Sequence, residues 1–199
     1  MKENRKLILD TETTGLNLEK DRVNIDGKGV SKIITPIPFM NHMLEQISKH
    51  SFIDLEVKCS GDIEIDAHHT IEDLGWCIGE AINKALLNRA GINRYASLSL
   101  PMDETLTSCS LDVSGRPWLE WKVILPNEKI GDIDSEIFQE FFRAFAQSSK
   151  MTIHIENNYG SNAHHIIESC FKVLAVCLRN SLTVINRNSN VIPSTKGVI

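Results

Sequence analysis

Apolar residues recur at helical spacing in two stretches of the chain. Ile71, Leu74, Gly75, Ile78 and Ala81 include neighbours three and four residues apart, the spacing of one helix face, and so do Ile167, Cys170, Phe171 and Leu174. Such stripes mark amphipathic helices, and each opens on a His-His pair. Ahead of each pair the same elements follow in the same order. The first copy reads as a helix (FMNHMLEQISKH), a strand (FIDLEVKC) and a loop (SGDIEIDA); the second as IFQEFFRAFAQSSK, MTIHIEN and NYGSNA. The first helices align at a separation of 98 residues and the His-His helices at 96, the loop absorbing the difference. The pattern is an internal repeat.

Strand-like runs precede each copy. Asp21 to Thr35 contains VNIDGKG, whose Asp-Gly is a hairpin-turn signal. Thr107 to Ile124 contains SCSLDVSGRPWLEWKVI, two strand-like runs around Ser-Gly-Arg-Pro. Adjacent strands before a helix favour an α+β arrangement over alternating β and α. The expected fold is therefore α+β and internally duplicated. Each half-domain is a small, mostly antiparallel sheet with two helices, and the helices pack between the sheets. The half-repeats run over about 21–90 and 91–185, with a tail at 186–199. No low-complexity linker separates them, so 1–199 is expected to form one domain.

Composition narrows the function. The 199 residues carry a net charge of -5, which argues against a nucleic-acid surface, since phosphate backbones select basic patches. The five cysteines form no CxxC pair, the usage of free thiols in a reducing cytoplasm. No apolar run approaches the ~20 residues of a membrane span, and the start shows no signal-peptide core. A cytoplasmic protein that binds neither membrane nor nucleic acid is expected.

The strongest chemical signal is His68-His69-x-x-Glu72 and its repeat, His164-His165-x-x-Glu168. On a helix the first His and the Glu are i, i+4 neighbours. Adjacent histidines diverge by about 100°, so one helix offers a ligand to each of two ions. Two such helices facing each other would complete two sites, as paired Glu/His helices do in di-metal bundles. The alternative is a pair of solvated helix starts, which a coincidence at equivalent repeat positions disfavours. The repeat adds His42 and its equivalent Glu140. Eight ligands then emerge: His42, His68, His69, Glu72, Glu140, His164, His165 and Glu168. Imidazoles and carboxylates without thiolate suit Mn, Fe or Zn, and room for further oxygen ligands favours six-coordinate Mn. His50, near a helix C-terminus, is assigned a dipole or capping role, and His154, in a strand, a structural one. Arg94, Arg116, Lys172, Ser194 and Lys196 form a cationic and hydroxyl group. The tail Ile192-Pro-Ser-Thr-Lys-Gly197 offers hydroxyls, backbone N–H groups and an ammonium to a phosphate.

These segments resemble the imidazoleglycerol-phosphate dehydratase family. PFMNHMLEQISKH, GDIEIDAHHTIEDLG, GINRYASLSLPMDE, LDVSGRPWL, NAHHIIESCFK and IPSTKGVI lie in family order and spacing from about Val23 to Ile199. The resemblance implies dehydration of imidazole-glycerol phosphate to imidazole-acetol phosphate in histidine biosynthesis. It implies two divalent ions per site, Mn2+, held by the eight residues above, with Glu140 standing where the family often has histidine. It implies that Arg94, Arg116, Lys172, Ser194 and Lys196 hold the substrate phosphate, that Gln46 contacts substrate, and that the tail is a substrate loop. It also implies a homo-oligomer, a twenty-four-subunit octahedral shell with metal ligands shared between subunits.

The chain departs from the family at several positions. Asn41 and Ala67 stand where the family has aspartate beside the metal histidines, which is expected to weaken the orientation of those ligands, and Pro36 replaces a glycine. The family's catalytic Glu-Thr, counted back from Asp26-Gly27, falls at Leu16; the candidates for the base are Glu12 and Glu19. Two other readings follow from this start: a metal-holding assembly of the same fold that has lost catalysis, or a DEDD-type 3′–5′ exonuclease, whose first motif LILDTETTGL resembles at Asp10 and Glu12. The later motifs of that exonuclease pattern are missing from the sequence.

Overall fold

The computed structural model describes residues 6–8, 22–61, 63–64, 66–185, 190–197 and 199. In chain order the elements are β1 (Lys6–Ile8), β2 (Arg22–Asn24), β3 (Ser31–Ile34), α1 (Pro38–Ser51), β4 (Asp54–Lys58), α2 (His68–Ala85), β5 (Tyr95–Met102), β6 (Thr105–Asp112), β7 (Trp118–Lys122), β8 (Lys129–Ile130), β9 (Ile133–Asp134), α3 (Ile137–Ser149), β10 (Thr152–Tyr159) and α4 (Ala163–Leu182). Two four-stranded sheets run β1-β2-β4-β3 and β5-β6-β10-β7. Both have two antiparallel pairs and one parallel pair at the far edge. The two halves thus share one topology, and β8 and β9 form a small separate ribbon.

The Asp-Gly signal at Asp26-Gly27 does not make a hairpin. β4 lies between β2 and β3, antiparallel to one and parallel to the other. Asp54, at the head of β4, explains the route. Its carboxylate accepts the backbone N–H groups of Lys28 at 2.8 Å and Val30 at 2.9 Å, and the Asn24 amide at 3.1 Å. The segment leaving β2 is therefore carried across the start of β4 rather than turned back on itself.

Local sequence sets the other elements. β6 buries alternate residues, Thr105, Thr107, Cys109 and Leu111, as a strand with one face on the core must. α3 buries Phe138, Phe141, Phe142 and Phe145 along one stripe, and Phe171 of α4 meets Phe142 with ring centroids 4.8 Å apart. α1 ends at Phe52 and α3 at Lys150, both left-handed, with φ of 62° and 55°. α1 packs on α4 and α2 on α3; α1 and α2 cover the first sheet, α3 and α4 the second. The four helices thus lie between the sheets, the expected α+β arrangement.

Candidate active site

α4 begins with a side-chain cap. Asn162 Oδ1 accepts the backbone N–H of His164 at 2.9 Å and of His165 at 3.4 Å, satisfying donors that a helix start leaves free. One turn on, Glu168 Oε2 lies 3.1 Å from His164 Nε2. The packing of α1 on α4 brings His42 Nε2 to 3.4 Å from the same oxygen. Ligand atoms of His42, His164 and Glu168 all lie within 4.8 Å of one another. The Glu168 side chain is 7% exposed, and its other oxygen accepts Lys172 Nζ at 2.7 Å. Burial pushes this carboxyl up, but the Lys172 hydrogen bond and charge, with His42 and His164, outweigh it and hold Glu168 below its ordinary value. An ionised carboxylate and two imidazoles in one cluster fit a divalent ion of the Mn, Fe or Zn type.

His165 turns elsewhere. Its Nδ1 lies 2.7 Å from Glu104 Oε2, and its Nε2 is 3.9 Å from Asp103. Glu104 also accepts the backbone N–H groups of Ser161 and Asn162. The His165 hydrogen bond, then that from Asn162, draw the Glu104 carboxyl down to about 2, and Glu104 in return raises His165. The sequence reading did not single out Glu104. It lies 61 residues from His165 along the chain, and only the closure of the β5–β6 turn over the start of α4 brings them together.

The other His-His helix opens differently. Asp66 Oδ1 caps it through the His68 N–H at 2.8 Å. His68 Nε2 is 3.7 Å from Glu72, and the His69 ring stands nearly perpendicular to that of His68, centroids 6.1 Å apart. Glu140 on α3 is held by Arg143, with two contacts of 2.8 and 2.7 Å. Among the described residues, His68, His69, Glu72, Glu140 and His165 do not join the cluster around Glu168. The reason lies in the helix pairing: within one chain α2 packs on α3 and α4 on α1, so the two His-His helices do not face each other as expected. Their first turns nevertheless open onto one cavity of about 660 Å³, lined by Phe39, His68, Asp134 and His164 among others.

Arg94, Arg116, Ser194 and Lys196 line a second cavity of about 740 Å³, with Tyr95 and Ser114. Lys172 and Gln46 lie instead at the imidazole cluster: Lys172 on Glu168, and Gln46 Nε2 at 3.4 Å from His42 Nδ1. Glu12 and Glu19, and with them Asp10 and Leu16, lie outside the described residues.

Asn41, expected to weaken the orientation of His42, is engaged elsewhere. Its side chain closes the turn at Thr35, accepting the Thr35 N–H at 2.9 Å and lying 3.4 Å from the Thr35 carbonyl. His50 lies in the last turn of α1, and burial, then the Lys172 and Arg179 charges, hold it below the usual imidazole range. His154 sits in β10 opposite Ser110 of β6.

A family model for imidazoleglycerol-phosphate dehydratase matches residues 35–178. The imidazoleglycerol-phosphate dehydratase of Sinorhizobium fredii is 52% identical over 177 residues, 89% of this chain and 88% of that protein. That of Agrobacterium fabrum is 50% identical over 194 residues, 98% of this chain and 96% of that protein. The crystal structure of the Staphylococcus aureus enzyme superposes with a TM-score of 0.77 at 37% identity, covering 83% of this chain and 95% of that one. The Pyrococcus furiosus structure gives 0.76 at 28%, covering 94% and 99%. In class, fold and likeness make the chain a hydro-lyase. It belongs to the imidazoleglycerol-phosphate dehydratase family.

Proposed function

We propose that this chain dehydrates imidazole-glycerol phosphate to imidazole-acetol phosphate in histidine biosynthesis, in the cytoplasm, with divalent metal at the His/Glu ligands. The observation that carries the metal half of this reading is the convergence of His42, His164 and an ionised Glu168. His68, Glu72 and Glu140 are their repeat equivalents and would hold the second ion. His165, which is held by Glu104, and its repeat equivalent His69 would serve an ion shared with another copy, in a homo-oligomer of the octahedral type. The unit is one duplicated domain, with half-repeats at about 21–90 and 91–185 and a substrate loop at 186–199. Mn2+ is the preferred ion, since imidazole and carboxylate ligands leave room for added oxygen donors.

When bound, the ions supply Lewis acidity that makes the imidazole ring an electron sink and eases loss of the adjacent hydroxyl. The chain's own residues do the rest. Arg94, Arg116, Ser194 and Lys196 hold the phosphate and fix the substrate's distance from the imidazole cluster. Lys172 keeps Glu168 ionised. Gln46, against His42, contacts substrate. A glutamate of the N-terminal segment, Glu12 or Glu19, removes the carbon-bound proton.

Turnover of imidazole-glycerol phosphate before and after chelation tests the reading. Activity should vanish with chelator and return with Mn2+. Glu168→Gln should lose more than about 100-fold, beyond what loss of an outer-shell partner costs. Full turnover after chelation ends the metal reading. Glu12→Gln and Glu19→Gln divide the base candidates: one should lose about 100- to 10,000-fold, and if neither slows, both fail. An assembly that binds metal but makes no product would favour the impaired alternative.

A further inference from the structure

Asp112 is a carboxylate that the reading above does not use. It ends β6 behind the second cavity and is absent from its lining. Its Oδ1 accepts Nε of Arg94 at 2.7 Å and its Oδ2 accepts Nη2 at 3.2 Å, the two-pronged geometry that fixes a guanidinium in plane. The same Oδ2 lies 3.7 Å from Arg116 Nη2. Arg94 is the buried member of the pair of arginines, its side chain 12% exposed against 71% for Arg116. Its Nη1 donates to the Pro193 carbonyl at 2.7 Å, and its guanidinium lies over the Tyr95 ring at 4.6 Å.

Three of the five N–H bonds of Arg94 are thereby committed, one of them to the tail that carries Ser194 and Lys196. Guanidiniums and an ammonium gathered around one cavity repel each other and the loop that bears them. A carboxylate lining the cavity would repel phosphate as well. A carboxylate behind the guanidiniums offsets their repulsion and leaves the cavity face cationic. The repeat shows that the strand itself does not need this charge. Asp112 pairs with Thr152 as Asn24 pairs with Asp54 in the first sheet, so a neutral amide fills the equivalent place.

We propose that Asp112 is a positioning residue of the anion site: it orients Arg94 so that one guanidinium braces the tail and also presents its remaining N–H groups to phosphate. The proposal rests on the dehydratase reading for its substrate, but its test does not depend on turnover alone.

The full-length enzyme with Mn2+ is compared with Asp112→Asn and Asp112→Glu. The readouts are kcat and KM for imidazole-glycerol phosphate, and the affinity for inorganic phosphate by titration calorimetry. Asp112→Asn should raise KM and weaken phosphate binding together by about 10-fold, with a much smaller change in kcat, as expected when an orienting partner is lost. Asp112→Glu, which keeps the charge, should recover most of the affinity. A loss of kcat at unchanged KM, or unchanged phosphate affinity in a folded Asp112→Asn, overturns the positioning role. Should Asp112→Asn fail to fold, Asp112→Glu decides alone: phosphate affinity near wild type supports the proposal, and a 10-fold loss overturns it. Wild-type protein that binds phosphate without forming product sinks the activity and leaves the Asp112 comparison readable. Wild-type protein that does not bind phosphate overturns the proposal.

Discussion

Asp54 is a single carboxylate that fixes a strand order. It collects two backbone N–H groups and one amide from the segment that would otherwise turn back as a hairpin. Burial works to raise it, but the bonds from Val30, Lys28 and Asn24 outweigh burial and depress it below 3.8. A depressed carboxyl binds fewer protons folded than unfolded, so its contribution is complete above about pH 4 and is lost as pH falls through the folded value. Asp54→Ala should cost about 1–3 kcal/mol at neutral pH, because it strands the N–H donors. In Asp54→Asn the acid limb of a denaturation curve should be shallower than in wild type; an unchanged limb would remove Asp54 from the account. Asn41 makes a different point. An amide serves the Thr35 turn because it meets an N–H with its oxygen and the carbonyl with its nitrogen. Asn41→Asp keeps the acceptor and sets a carboxylate against the carbonyl. It should lower stability by about 1 kcal/mol in a thermal melt while leaving Mn2+ affinity within a factor of about two, since the side chain is engaged by the Thr35 turn. A large rise in metal affinity would restore the sequence-based view, in which an aspartate here orients the metal histidine.

At the scale of elements, α2 meets α3 through two glycines. A Cβ at Gly75 would strike the Phe141 carbonyl, and one at Gly79 would lie 2.6 Å from the Phe145 carbonyl. Alanine is the better helix former, yet Gly75→Ala should destabilise by about 1–3 kcal/mol, because backbone cannot yield as a side-chain tip can. Chemical denaturation measures this, and a neutral or stabilising result would show that the helices separate freely. The helices were legible in the sequence because their stripes repeat every three or four residues, and the repeat placed them twice. The strand order was not legible. Asp26-Gly27 carries the local chemistry of a hairpin, and the insertion of β4 between β2 and β3 is decided by a carboxylate about thirty residues away. The helix caps fall between these cases. Ala67 reads as a lost aspartate, but Asp66 caps His68 one position earlier, as Asn162 does for His164, so the two starts are more alike than the departure suggests.

For the whole molecule, the repeat revealed which residues are equivalent but not which ones meet. His42, His164 and Glu168 converge because α1 lies on α4, a pairing between halves that no spacing along the chain encodes. The His165–Glu104 contact depends on a different closure, within the second half, of the β5–β6 turn over the start of α4. Three ligands from one chain leave an octahedral ion short of donors, while among the described residues His165 is held by Glu104 and neither it nor His69 joins the cluster around Glu168. Large apolar side chains also stay open to solvent in the single chain, with Leu87 at 81%, Ile124 at 88% and Trp118 at 60% exposure. Isolated surface hydrophobes are ordinary, but together with incomplete ligand sets they favour association in which metal and protein contacts act together. Mass measured by light scattering should then fall in steps when Mn2+ is removed by chelator, and return on adding it back. His69→Ala with His165→Ala should mimic the chelated mass even in excess Mn2+, while each folded subunit keeps wild-type helix content by circular dichroism. A chelated protein that stays at full mass, or a double variant that assembles normally and still turns over, would mean that every ion is completed within one chain, and that these two imidazoles serve another purpose.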